Sequence, residues 1–271
     1  MKIVGLNLIE APNVGDRYCS PLHYFDFPGT VIKGNIRDFA KHQDADAVIF
    51  GGGALAQNVA ERAPSFASSL KIGWGLGHTQ RGVLGPHGNY SALLQDLDLY
   101  GIRDWGLASD DNYVPCASCM LPQLDRAYKI EHEFVYYGHE KLTPLAGLEP
   151  RMTNSELNIQ AVIEFLGSGE TIVTSSYHGM YWGTLLGRKV IAIPFGSKFF
   201  HFKYPVPLRA EWKEGAAAAK AFPEALGESR AYNQNFHKKV LEVLGNVKSK
   251  PRKSSKPASL TQLAQKLLRS Q

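Results

Sequence analysis

Short apolar runs alternate along this chain with glycine- or hydroxyl-rich loops and with segments of helical periodicity. The clearest unit lies at residues 171–196, where a β-branched run ends in Ser175, Ser176, Tyr177 and His178. An apolar segment at helical spacing follows, and a second apolar run ends the unit, which predicts strand, turn, helix and strand. Such a unit is typical of a parallel sheet, whose strand carboxyl ends carry the ligand-binding loops. We therefore expect His178 to lie where α/β proteins bind their ligands.

The same pattern recurs on both sides of a turn-rich stretch near residues 113–129. Two successive sets of strands and helices predict two α/β domains, at residues 1–125 and 126–247. Strands are predicted at 2–7, 31–33, 44–50, 69–72, 100–105 and 133–137, in addition to the two of the unit at 171–196. Helices are predicted after Asp16 and at 154–166, 210–226 and 233–244, the second of these four capped by Asn154 or Ser155.

Several predicted strands of the first half end in loops suited to a ligand. Asn13, Gly15 and Asp16 follow the first strand, where Gly15 would let the backbone approach a ligand. Gly51, Gly52 and Gly53 follow a later strand and either expose backbone N–H groups to an anion or form a tight turn. Trp74 and Arg103 follow two further strands; Arg103 would grip an anion or pair with a local carboxylate.

Composition and charge narrow the class of protein. The 271 residues are 44% hydrophobic and carry a net charge of +5, much of which falls in a basic stretch at 248–257. A mobile linker there, followed by a short amphipathic helix at 260–268, is our interpretation, with an electrostatic tether to an anionic membrane surface as the alternative. The basic residues lack interleaved aromatic residues, which argues against a nucleic-acid partner. The absence of a secretory signal or long apolar run indicates a cytoplasmic protein, with the inner face of the membrane as a further possibility.

The three cysteines are Cys19, Cys116 and Cys119. An odd number argues against a disulfide framework. The C-x-x-C spacing of Cys116 and Cys119 would supply half of a zinc site or a redox pair, but zinc needs further ligands that would come from beyond the next segment. Two buried thiols in a turn are the default interpretation, and we expect neither a metal nor a cofactor.

Four motifs follow one another along the chain. They are Asn13-Val-Gly-Asp16, Phe50-Gly-Gly-Gly53, Ile102-Arg-Asp104 and Thr174-Ser-Ser-Tyr-His-Gly179, the last leading into Leu186-Gly-Arg-Lys-Val190. In this order they resemble the polysaccharide pyruvyltransferase family over residues 1 to about 205. The resemblance implies two Rossmann-like domains facing across a cleft, as in GT-B glycosyltransferases. It also implies transfer of pyruvate from phosphoenolpyruvate, as a ketal, to a sugar or lipid-linked glycan in polysaccharide biosynthesis.

The resemblance assigns roles residue by residue. His178 matches the histidine that the family uses in catalysis, and Gly179 follows it in the same motif, whereas Ser176 stands where the family commonly has arginine. Lys198 matches a basic position that the family often carries after this strand.

Ketal formation from an enol phosphate needs a proton donor and cations that bind the anionic donor. A proton must reach the methylene carbon, which suits a histidine such as His178, and the anionic donor needs cations, for which Lys198 is favoured and Arg103 is second. Trp74 is the favoured platform for a sugar ring, ahead of Trp105 and Tyr177. Two other functions stay open, namely a GT-B-like glycosyltransferase that uses a nucleotide-sugar and a non-catalytic sugar-binding protein.

Overall fold

A computed structural model describes residues 1–142 and 147–248 and has an α/β architecture with two parallel sheets. The strands are β1 (Lys2–Asn7), β2 (Thr30–Asn35), β3 (Ala47–Phe50), β4 (Leu70–Leu76), β5 (Leu99–Ile102), β6 (His132–Gly138), β7 (Arg151–Thr153), β8 (Gly169–Thr174) and β9 (Lys189–Ala192). The α-helices are α1 (Val14–Arg17), α2 (Ala56–Arg62), α3 (Ile159–Ser168), α4 (Tyr177–Leu185) and α5 (Ala225–Lys248). None of the helices in the described ranges has the length and apolar composition needed to cross a membrane.

In each sheet, the order in which successive strands are added reverses at one internal point. The first has the order β2-β1-β3-β4-β5 and the second the order β7-β6-β8-β9. Every pairing within them is parallel. The reversal lies between β1 and β3 in the first sheet and between β6 and β8 in the second, and such switch points open a crevice at the strand carboxyl ends. The predicted α/β class with parallel sheets is confirmed.

Helix α4 lies in the middle of the molecule. All nine of its residues are buried, so it lacks the polar face of a surface helix. Its side chains share a core with α3 of the second half and with Val14 and Cys19 of the first half. The loop that begins α4 is therefore fixed by both halves of the chain.

Helix α5 returns to the first sheet. Phe236, Val240 and Leu244 pack with Ile3 and Trp74 beneath that sheet, although the sequence assigned them to a second domain at 126–247. That assignment is corrected for the helix, because its apolar stripe covers a face of the first sheet. The division near residue 125 is otherwise still a prediction.

Most strands lie where the sequence predicts them, but several boundaries differ. Strand β7 was missed, since three residues show no usable alternation. Helix α3 is capped by Asn158, whose Oδ1 accepts from Gln160 and Ala161, instead of by Asn154 or Ser155.

Two predicted helices break at prolines. The predicted helix at 210–226 is a 3₁₀ turn at Trp212–Ala218, and α5 starts only after Pro223. The helix predicted after Asp16 ends at Arg17, and a separate 3₁₀ turn starts at Pro21. The basic stretch at 248–257 and the predicted helix at 260–268 lie outside the described residues, apart from the backbone of residue 248.

Candidate functional site

A cavity of about 140 Å³ lies where the strand carboxyl ends of both sheets meet. Its lining comes from loops that follow β1, β3, β4 and β5 in the first sheet and β6, β8 and β9 in the second. The lining residues are Asn13, Asp16, Ala54, Thr79, Arg81, Arg103, His139, Ser176, Tyr177, His178, Phe195 and Lys198. The sequence predicted seven of these twelve residues as one site, namely Asn13, Asp16, Arg103, Ser176, Tyr177, His178 and Lys198.

The cavity wall is rich in cations. Arg81, Arg103 and Lys198 line it with a single carboxylate, that of Asp16. Within the described ranges, neither Arg81 nor Lys198 forms an ion pair. An excess of positive charge in a partly enclosed space favours an anionic ligand.

Arg103 is the most unusual of these cations because its side chain is only 2% exposed and is poorly neutralised. Its guanidinium carbon lies 4.0 Å from the centre of the Tyr177 ring. Nε is 3.9 Å from Oδ1 of Asp104, beyond hydrogen-bond distance, and both Nε and one terminal nitrogen are buried with no hydrogen-bond partner in the described part of the chain.

Asp104 forms a long ion pair with Arg103 but no hydrogen bond to it, and other groups hold its second oxygen. Oδ2 accepts hydrogen bonds from the Tyr90 hydroxyl at 2.6 Å and from the His78 backbone N–H at 2.9 Å. Burial alone would lower the pKa of the Arg103 guanidinium, but the neighbouring Tyr177 and Asp104 raise it, so the group stays cationic. A buried guanidinium with unused donors on a cavity wall is a site prepared for an anion.

Lys198 lies in an aromatic cradle. Its Nζ is 4.8 Å from the centre of the Phe195 ring and 5.5 Å from that of Phe199. Burial, and then the charge of Arg103, lowers the pKa of Lys198 to about 8. The ammonium therefore titrates at about pH 8, close enough to neutral pH to suit a general acid.

His139 faces the same cavity from the end of β6. Burial, and then the charge of Lys198, lowers its pKa to about 4, so the ring is neutral at pH 7. Nδ1 accepts from the Lys141 backbone N–H at 3.2 Å. A neutral imidazole beside three cations does not add to the positive charge.

The start of α4 contributes its backbone to the wall. Ser176 is the N-cap residue, and its Oγ accepts from the Gly179 N–H at 3.4 Å. Ser175 does not line the cavity; its Oγ accepts from the His139 backbone N–H at 2.9 Å. Gly179 also packs inward, because a Cβ there would lie 2.4 Å from Thr174 Oγ1. The helix therefore presents its positive end to the cavity at Ser176.

His178 lines the cavity, but its Nε2 faces two thiols. Nε2 lies 3.3 Å from Cys19 Sγ and 3.7 Å from Cys116 Sγ, and the two sulfurs are 3.5 Å apart. Burial raises the pKa of the Cys116 thiol, but Cys19 and His178 outweigh this and hold it well below its usual range. The pKa of Cys19 is raised, first by its hydrogen bond with Cys116 and then by burial.

Glycine is needed at position 15 because the His178 ring packs against it, not because a ligand does. A Cβ at Gly15 would lie 2.1 Å from His178 Nδ1, so any side chain would displace the ring. The predicted ligand contact at Gly15 is thus replaced by a backbone contact that holds His178 in place.

Trp74 is not a sugar platform. Its ring is fully buried, packs edge-on against Phe236 at 4.9 Å, and donates Nε1–H to Asn233 Oδ1 at 2.8 Å. The side chain points to the α5 face of the sheet, away from the strand-end loop. The prediction that Trp74 contacts a ligand is wrong.

The three successive glycines also serve packing. A Cβ at Gly52 would lie 3.2 Å from the Gly75 carbonyl oxygen, and Gly53 has φ +96° and accepts from Gly77 N–H. None of Gly51, Gly52 and Gly53 lines the cavity, which is bordered instead by Ala54. The tight-turn interpretation therefore describes them better than anion binding.

Sequence reasoning missed Arg81, His139 and the part that Cys19 plays. Arg81 lies in an irregular loop whose backbone pairs with Gly196 of the other half, a contact that no local pattern indicates. His139 directly follows β6 and had the same strand-end signal as His178.

No protein-family model matches this chain, and no curated protein matches it in sequence. The functional interpretation therefore depends on the geometry of the cavity.

Proposed function

We propose that this cavity binds phosphoenolpyruvate and that the protein transfers its pyruvyl group as a ketal to a sugar acceptor. The observation that carries the proposal is Arg103, a buried guanidinium with unused donors on the wall of a small cavity. The motifs of the resemblance support it further, since residues of three of the four line this one cavity.

The donor carries a carboxylate and a phosphate, which need cations on two sides. Arg103 from the first sheet and Lys198 from the second can hold one group each, and the exposed Arg81 adds a third cation to the lining. Ser176 occupies the position of the family arginine and acts as a helix cap. We assign the charge that this arginine would supply to Arg103 and Arg81 together with the N-terminus of α4.

Ketal formation adds a proton to the donor methylene carbon, and one sugar hydroxyl then adds to the neighbouring carbon. The bond from that carbon to the phosphate oxygen breaks, and a second hydroxyl closes the ketal. One hydroxyl proton replaces the proton supplied by the acid, and the other leaves with phosphate. The process consumes two hydroxyl protons and needs no oxidant or metal electron transfer.

We assign the acid to Lys198 in preference to His178. The Lys198 pKa of about 8 keeps the ammonium protonated at neutral pH yet able to release its proton. His178 directs Nε2 to Cys19 and Cys116. The prediction that His178 moves the proton stays a prediction, and replacing each residue separately distinguishes the two assignments.

The arrangement of the two halves belongs to this proposal. Two parallel sheets with switch points at a shared cavity are consistent with Rossmann-like domains facing each other as in GT-B enzymes. Pockets that hold drug-sized ligands have volumes of roughly 300–1,000 Å³, so a nucleotide-sugar donor would need a larger pocket than this cavity of about 140 Å³. The compact cavity therefore favours the smaller donor.

The test measures donor binding before chemistry. Calorimetric titration of the full chain with phosphoenolpyruvate should show saturable binding that Lys198→Met weakens. Lys189→Met is the matched control, because Lys189 is a partly exposed lysine paired with Glu170 outside the cavity. Binding that is absent, or that both variants weaken equally, would contradict the donor site.

Turnover is then measured with a panel of sugar acceptors. Phosphate release that needs an acceptor, together with a new ketal methyl signal in the proton NMR spectrum, would support pyruvyl transfer. Release of a nucleoside diphosphate from a nucleotide-sugar would assign a glycosyltransferase instead. Sugar binding with turnover of neither donor would assign a non-catalytic binding protein.

A further inference from the structure

Three metal-ligating side chains from three separate parts of the chain meet beside the cavity. Cys19 follows α1, Cys116 follows β5, and His178 lies in the first turn of α4. Their exposed fractions are 0%, 1% and 4%. We propose that Cys19, Cys116 and His178 bind a thiophilic divalent ion of the zinc class, a site that goes beyond pyruvyl transfer and does not depend on it.

The three ligand atoms have the spacing of one face of a tetrahedral site. The sulfurs are 3.5 Å apart, and His178 Nε2 lies 3.3 and 3.7 Å from them. Bond lengths of about 2.3 Å to sulfur and about 2.0 Å to nitrogen give tetrahedral edges of roughly 3.8 Å between sulfurs and roughly 3.5 Å from sulfur to nitrogen. The observed edges differ from these by about 0.3 Å or less. An ion roughly 1 Å above the plane of the three atoms would reach all of them at these bond lengths.

The ligand types suit a borderline-soft ion. Two thiolates and one imidazole form the Cys₂His set that binds zinc with one position left for an exchangeable ligand, whereas calcium and magnesium prefer oxygen. Over residues 1–142 and 147–248, no fourth cysteine, histidine or carboxylate joins the group. The fourth position would therefore hold water or a small ligand.

Neighbouring groups orient the ligands. Ser118 Oγ donates to Cys116 Sγ at 3.2 Å, a hydrogen bond that a metal-bound thiolate can keep. The Cys19 thiol donates to the Gly15 carbonyl oxygen at 2.9 Å, and zinc would take the place of that proton. The Gly15 backbone also packs against the Nδ1 side of the His178 ring. Second-shell contacts of this kind fix ligand orientation in metal sites.

Cys119 provides a matched control. It is fully buried and belongs to the C-x-x-C pair, but its Sγ accepts from Asn233 Nδ2 at 3.3 Å and lies outside the cluster. The sequence spacing therefore pointed to a different pair of thiols from the one that the fold brings together. Replacing Cys119 removes a buried thiol without removing a proposed ligand.

The experiment measures zinc and cobalt binding by the reduced full chain in the absence of any substrate. After dialysis against zinc, elemental analysis should find about one zinc per chain in the wild type and in Cys119→Ser, and at least tenfold less in Cys19→Ser and Cys116→Ser. Cobalt(II) should give sulfur-to-metal charge-transfer absorption in the first two proteins only. Zinc should also raise the Tm of the wild type, and magnesium should not, which provides a test independent of whether the cysteine variants fold.

Three results would overturn the site. These are a wild type that binds neither zinc nor cobalt, equal metal loss in Cys119→Ser, and a Cys19–Cys116 disulfide that persists under reducing conditions without metal. Because metal content is measured without a donor, its failure leaves pyruvyl transfer standing. Failure of phosphoenolpyruvate binding likewise leaves the metal site standing.

Discussion

Trp74 lies near the carboxyl end of β4, and Arg103 directly follows the neighbouring strand β5. Both side chains are buried and carry N–H donors, but only that of Trp74 has a hydrogen-bond partner for each N–H. The Trp74 donor is satisfied by Asn233, whose own amide donates to the carbonyl oxygens of Pro115 and Ser229. Two Arg103 nitrogens have no partner in the described ranges. Burial alone does not separate a structural polar group from a functional one, whereas hydrogen-bond satisfaction by the protein does.

The comparison has an energetic consequence. A satisfied buried donor adds to stability, and its removal leaves both a cavity and an unpaired acceptor. A buried charge with unused hydrogen-bond donors costs stability, and its removal relieves that cost. The two residues should therefore respond to substitution with opposite changes in the free energy of unfolding.

The largest expected effect is the loss of stability on replacing Trp74, whose N–H is hydrogen-bonded. Trp74→Ala should lower the free energy of unfolding by about 3–5 kcal/mol, because it empties a core position beneath the first sheet and leaves Asn233 Oδ1 unpaired. Urea denaturation measures this, with Trp212→Ala as the control because Trp212 is only half-buried on the second sheet. A stable Trp74→Ala protein that had lost sugar binding would restore the platform interpretation.

Arg103→Met should weaken phosphoenolpyruvate binding and leave Tm unchanged or higher. Losing a charge-assisted contact of about 1.5–3 kcal/mol corresponds to roughly a 10- to 150-fold rise in Kd. Calorimetry and thermal melts of the same samples measure both quantities. Arg37→Met, which removes an exposed arginine, should change neither. A Tm that fell by several degrees with an unaltered Kd would make Arg103 a structural residue.

The smallest expected effect is the pH dependence caused by Lys198. Its pKa is lowered to about 8, so the ammonium is present below that pH and lost above it. Donor affinity should fall as pH rises through about 8, by at most about tenfold per pH unit, while the donor phosphate stays fully ionised because its second pKa is about 6. Calorimetry from about pH 7 to 9 measures this slope.

Lys198→Met should flatten that slope, and Lys189→Met should keep it. The lowered pKa of Lys198 should also make the free energy of unfolding increase with pH, whereas donor affinity falls. The folded-state pKa lies below the value of about 10.4 in the unfolded chain, so the contribution of Lys198 to stability should become more favourable between about pH 8 and 10. A wild-type affinity that did not change over the range would exclude Lys198 from the donor site.

The chain's local patterns were enough to predict the α/β class, the parallel sheets and the strand ends at which the cavity lies. Each of these depends on periodicity and loop composition within about ten consecutive residues, as in the run from Thr171 to His178. Seven cavity residues were predicted as one site for this reason, namely Asn13, Asp16, Arg103, Ser176, Tyr177, His178 and Lys198. The positions of strand carboxyl ends in parallel sheets then brought them to one cavity.

Only the tertiary structure decided which of these side chains face a ligand. Trp74 turned into the core because Asn233 and Phe236, more than 150 residues later, cover it. Two Arg103 nitrogens kept no hydrogen-bond partner in the described ranges, since Tyr90 and the His78 backbone hold the second oxygen of Asp104, its neighbour in the chain. Cys19, instead of Cys119, came to lie beside Cys116 and His178. Hydrogen-bond satisfaction and burial depend on partners distant in sequence, so no local pattern could indicate them.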